Sequence, residues 1–169
     1  MDPVEICRRL GEPKIKAIFL ELTSEAMKKV LRESKLPVVR LSSHTTTRKR
    51  NDDWAGKLWR AITDKGSVSA AATLVFEWLT RMRRPMLARF LTGIDVQNDN
   101  GLTDADFMTA TPPEKLVASA QRLLQDFDRQ EVAAYLLFLD ASNKSEVFAA
   151  LELAPLLGPA PVPAAAVPA

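Results

Sequence analysis

With 169 residues, 47% of them apolar and 26% charged, and a formal charge of +2, the chain is long enough for one buried core and too apolar to be wholly disordered. A single cysteine excludes an internal disulfide and any metal cluster built from the cysteines of one chain. No apolar run approaches the roughly 20 residues that cross a bilayer, and the N-terminal segment lacks a signal peptide's apolar stretch, so a cytoplasmic location without membrane contact is expected.

Asp2, Pro3 and Glu5 form a cap-like opening that predicts a short helix to about Leu10, stopped by Gly11. Over residues 14–22, Ile15, Ile18, Phe19 and Leu22 recur at helical spacing, while Ile18, Leu20 and Leu22 also alternate; the helix is favoured. Ser24 caps a helix over 25–33 whose buried side is Ala26, Met27, Val30 and Leu31. Residues 36–41 are β-branched around a proline and read as a short extended segment. Residues 42–51 (SSHTTTRKRN) hold no apolar side chain and read as a surface linker. Asp52 or Asp53 then caps a helix to about Thr63, with Trp54, Leu58, Trp59 and Ile62 on one face and Gly66 as its terminator.

The centre of the chain is two stretches of the same design, 67–91 and 114–139, each a long apolar-striped helix, a charged break and a second helix. Shifted by 45 positions without a gap, Leu79 falls on Leu124, Met82 on Phe127, Arg84 on Arg129, Leu87 on Val132, Phe90 on Tyr135, Leu91 on Leu136 and Ile94 on Leu139. In the first, Thr73, Glu77, Thr80, Arg81 and Arg84 mark a polar stripe opposite Val68, Ala71, Ala72, Val75, Phe76, Trp78, Leu79 and Met82; Pro85 ends the helix and opens the next. In the second, Thr111 and Glu114 form a capping box around Pro112, and Leu116, Val117, Ala120, Leu123, Leu124 and Phe127 make the apolar stripe. The period is that of HEAT-type repeats, but two units are fewer than a solenoid needs. The fold class expected is therefore all-α, a compact bundle on two antiparallel helical hairpins with a HEAT-like pseudo-repeat.

Between the hairpins, 95–107 has the outline of a calcium loop, but its first and twelfth ligand positions would be Val96 and Phe107, so residues 98–101 read as a glycine turn. Thr103 and Asp106 cap a short helix. After it, Asn143 and Glu146 signal a last helix to about Leu153, ended by Pro155. Residues 158–169 (GPAPVPAAAVPA) cannot build a core and are expected to be a disordered tail. The organisation expected is a small helical element at 1–41, a linker at 42–51, a helical body at 52–157 and the tail at 158–169.

Chemistry is sparse. The one histidine, His44, lies in the linker with nothing to fix it beside a nucleophile, and no phosphate loop, GxGxxG or HExxH pattern occurs. Asp2, Glu12 and Lys14 have the crude spacing of a metal-dependent nuclease, but Pro13 argues against the strand such a site uses. Cys7 reads as a small core residue. No catalytic residue, metal or cofactor is assigned, and enzyme activity is the least favoured of three functions.

Charge is uneven: residues 1–94 carry +9 and residues 95–169 carry −7. The two halves can attract each other within the fold, or the basic one can meet a partner. The leading expectation is a non-enzymatic protein-interaction module, an adaptor or scaffold, with Arg81, Arg83, Arg84 and Arg89 contacting an acidic protein or a second copy. The alternative is sequence-tolerant nucleic-acid binding through Arg48, Lys49, Arg50, Lys57 and Arg60 beside Trp54 and Trp59.

Overall fold

The computed structural model describes residues 1–36 and 46–159, with residues 46–51 described by their backbone alone. All regular structure among them is helical. All but Leu36 of the extended segment expected at 36–41, the linker residues 42–45 with His44, and the tail from Ala160 onward lie outside the described residues.

The first helix, α1 (Pro3–Glu21), opens where expected, with the Asp2 side chain accepting from the Glu5 amide. Gly11 breaks it as expected: at φ 81 and ψ 159 its backbone is not helical, so α1 is two helical segments joined at a kink, two residues before Pro13, which cannot donate to the helical ladder. Both halves face inward, Val4, Cys7 and Leu10 before the bend and Ile15, Ile18 and Phe19 after it. Burial pushes the Cys7 thiol up to about 12. Native protein is therefore expected to react with Ellman's reagent only after denaturant is added; prompt native labelling would contradict the buried placement.

Helix α2 (Ser24–Glu33) is capped by Thr23, one residue earlier than expected, because the Thr23 hydroxyl accepts from the Ala26 amide. Helix α3 (Thr46–Thr63) corrects the linker expectation: helical backbone begins six residues before Asp52, so the polar stretch 46–51 is its first turns. A run without apolar residues can still continue a helix whose later turns are anchored, here by Trp54, Leu58 and Ile62 in the core.

The pseudo-repeat appears in the element boundaries themselves. Helices α4 (Val68–Met82) and α5 (Arg84–Gly93) break at Arg83, where Pro85 cannot donate and its ring would collide with the preceding turn. The short α6 (Phe107–Ala110) follows the connecting loop. Helix α7 (Pro113–Asp126) opens 45 positions after Val68, and α8 (Arg129–Asn143) opens 45 after Arg84. The equivalent residues Phe90 and Tyr135 meet edge to face, 5.5 Å between ring centres. The two pairs interlock, α4 packing on α8 and α5 on α7. Helix α1 packs on α3, α4 and α8, so the N-terminal element and the body share one core.

Three expectations are corrected at the ends. The capping box at Thr111 does not form; Pro112 occupies the N-cap and α7 starts one residue later. Asp106 precedes α6 without a side-chain cap bond. The helix expected over 146–153 is replaced by a left-handed Lys144, a 3-10 turn at Ala149–Leu151 and the short α9 (Ala154–Leu157), with Pro155 in its first turn rather than after its last. The Asp140 carboxylate holds this segment, accepting from the Ser145 hydroxyl at 2.6 Å and from the amides of Val147 and Phe148 at 3.1 and 3.2 Å. Backbone donors that would otherwise begin a helix are thereby satisfied by a side chain.

Candidate functional site

Helix α4 is the centre of the bundle, touched by α1, α2, α3, α5 and α8. A helix so enclosed does not keep a simple wet and dry side, and the stripes expected from its sequence are partly exchanged. Glu77, assigned to the polar stripe, is 3% exposed, whereas Phe76, assigned to the apolar one, is 49% exposed; Val68 and Met82 are also exposed. The cause is the placement of α2, which covers Glu77 and supplies Lys29 to its carboxylate at 2.6 Å, with Arg81 at 2.6 Å completing the pair.

Phe76 stands at the lip of an apolar groove of about 470 Å³ formed by both helix pairs. It is lined by Phe76 and Leu79 of α4, Leu87 of α5, and Phe138 and Leu139 of α8. The loop between the pairs adds Leu102 to the lining, and the start of α6 adds Phe107. Local chemistry shapes that loop. The Asn98 side chain accepts from the Gly101 amide at 2.9 Å, and Asp99 and Leu102 exchange backbone bonds of 2.8 and 3.1 Å. Gly101 has φ +87, and a Cβ there would lie 2.6 Å from the Arg84 carbonyl oxygen and 2.9 Å from Leu87 Cβ. Glycine is required for both reasons, conformation and close approach to α5. The groove's polar groups are few, chiefly Thr80, Thr103, Asp104 and Ser142. Such a surface can hold apolar side chains and orient them through a handful of polar contacts.

The four arginines assigned to a partner face are each engaged within the chain. Arg83 grips Glu131 with two bonds, 2.6 and 2.8 Å, lies 3.4 Å from Glu21, and stacks 5.3 Å above Trp78. Lys14 of α1 joins the same carboxylate at 3.1 Å. Arg81 pairs with Glu77, Arg89 with Asp126 at 3.1 Å, and Arg84 donates to the Thr80 carbonyl at 2.8 Å. Three of these ion pairs, Lys14–Glu131, Arg83–Glu131 and Arg89–Asp126, join the basic half of the sequence to the acidic half.

Burial alone would raise the Glu131 and Glu77 carboxyls, but the hydrogen bonds from Arg83 and Lys14, and from Lys29 and Arg81, outweigh it and hold both below the usual 4.5. A carboxyl lowered by folding contributes stability that is complete above its unfolded pKa and lost as pH falls through the folded value. Urea midpoints should therefore fall below about pH 4.5, and more shallowly in Glu131→Gln than in the parent. Parallel profiles would show that Glu131 does not contribute.

For the nucleic-acid alternative, the side chains of Arg48, Lys49 and Arg50 lie outside the described residues. Lys57 sits 4.4 Å over the ring of Trp54, itself only 5% exposed, so that tryptophan offers no face to a base; Arg60 is exposed. Asp2, Glu12 and Lys14 are not brought together: Asp2 caps α1, Glu12 pairs with Lys16, and Lys14 reaches Glu131. Among the described residues no three His, Cys, Asp or Glu side chains converge to hold a metal ion, and no helix is long and apolar enough to cross a membrane.

Glu131 and Asp140 went unnoticed in the sequence. No local pattern singles either out: Glu131 takes its role from Lys14 and Arg83, far off in sequence, and Asp140 from a turn whose own pattern reads as helix. Comparison with protein-family models, with curated proteins and with solved structures finds no match to this chain.

Proposed function

We propose that the chain is a non-enzymatic helical interaction module that receives a protein partner in the groove between its two helix pairs. The observation that carries this is Phe76, a large aromatic left half exposed at the lip of a trough whose walls come from both repeats. Aromatic side chains beside an apolar pocket are the usual anchors of protein recognition. The arginine surface would have to release Glu77, Glu131 and Asp126 to meet an acidic protein; the groove asks for no such exchange. A pull-down from the native host with the parent chain, Phe76→Asp and Thr80→Arg tests it. Retention of a discrete protein should drop about tenfold or more in both variants, with melting temperatures close to the parent's. Equal retention by all three removes the groove.

A second function rests on another surface. Lys35, Lys57, Arg60 and Lys65, with Glu33 and Asp64 among them, line two adjoining hollows between α2, α3 and the start of α4, a net basic surface that can meet a polyanion. Lys57→Glu with Arg60→Glu should then abolish the mobility shift of a mixed-sequence single-stranded oligonucleotide at low salt. No shift with the parent chain ends it.

A further inference from the structure

We infer that the occupant of the groove is an amphipathic helix carrying lysine or arginine beside its apolar stripe; this rests on the groove being the docking surface. A second hollow of about 270 Å³, bounded by Lys29, Ala72, Thr73, Phe76 and Phe138, shares its two aromatics with the main groove, so the two form one trough. Along α4 the trough runs from Ala72 to Thr80, which at about 1.5 Å per residue is roughly 12 Å, the span of apolar positions i, i+4 and i+7 on a bound helix.

The charge at its edge selects the sign of that helix. Residues 96–106 hold three aspartates and no lysine or arginine. Asp104 lines the groove, Asp99 is bonded to the lining residue Leu102, and Asp106 precedes the lining residue Phe107. All three are exposed, and none has an ion-pair partner among the described residues, whereas Asp95 at the loop's start is held by Lys115 at 2.6 Å. Away from this loop the trough has cations of its own: Lys29 shares the Glu77 carboxylate with Arg81 and lies 5.8 Å over the Phe76 ring, and Arg84 donates to the Thr80 carbonyl. The charge carried by the loop at the trough's edge is negative, and there it complements a basic flank. A second copy of this chain does not supply such a helix from α2 or α3, because the apolar stripes of these basic helices are already buried.

The probe is a displayed library of randomised helical peptides of about 18 residues, selected on the full chain. Enriched sequences are synthesised, checked for helix by circular dichroism with the chain present, and titrated by fluorescence anisotropy at low and moderate salt. Enriched peptides should carry apolar residues at i, i+4 and i+7 and a net positive charge. Their affinity should fall about tenfold in the Asp99→Asn, Asp104→Asn, Asp106→Asn triple variant, which should also flatten the salt dependence. If the triple variant loses its cooperative melt, Asp104→Asn alone is used, with a proportionately smaller loss expected. Neutral, acidic or extended peptides that are still lost on Phe76→Asp overturn the basic-helix inference and leave the groove standing. Peptides indifferent to Phe76→Asp and Thr80→Arg, or no enrichment at all, overturn the groove and this inference with it.

Discussion

Replacing Phe90 with alanine should cost about 4 kcal/mol of stability and lower the melting temperature by roughly 12 °C. Phe90 is fully buried and is the hub of an aromatic cluster, edge-on to Phe107 at 6.1 Å, Tyr135 at 5.5 Å and Phe148 at 6.2 Å. Truncation removes the transferred apolar area, leaves a cavity the surrounding helices cannot close, and dissolves three edge-to-face contacts worth about 0.5–1.5 kcal/mol each. The three neighbours come from α6, from α8 and from the turn after α8, so the loss should be cooperative rather than local. A shift below about 3 °C in calorimetry would mean that the cluster is not the joint between the repeats.

Asp140→Ala should be nearly as severe, about 3 kcal/mol, through a different mechanism. The carboxylate is 7% exposed and accepts one hydroxyl and two amides of the segment 145–148. Its removal leaves the buried Phe148 amide without an acceptor, and loosens the turn that brings Phe148 into the core. Asp140→Asn keeps one oxygen to accept from Ser145 and Val147 but sets an NH2 against the Phe148 amide, so it should recover only part of the loss. Equal urea midpoints for the parent and Asp140→Ala would show that the turn holds itself.

The contrast between these two residues marks what a linear reading can reach. Phe90 was legible as the repeat equivalent of Tyr135, through the 45-residue register and the proline at 85 that opens its helix; that the two rings meet was not. Each of those signals is local, acting through hydrogen bonds and side-chain spacing within a few turns. Asp140 was not legible as a cap, since its donors lie five to eight residues further on, in a stretch whose own pattern reads as helix. Glu131 was hidden in the same manner, its partners Lys14 and Arg83 lying 117 and 48 residues away.

The groove illustrates the same limit from the opposite side. Of its lining residues, Phe76, Leu79, Leu87, Leu91, Tyr135 and Leu139 were named as apolar positions of one repeat or the other, yet Phe76 was assigned to the interior and Glu77 to the surface. By itself the sequence determined that the chain is helical, where most of its helices begin and break, that two units repeat, and that one half is basic and the other acidic. Tertiary structure alone decided which side of α4 stays wet and which carboxylates meet which cations. An amphipathic stripe records the preference of a single helix, whereas burial is settled by how many neighbours surround it, and α4 has five.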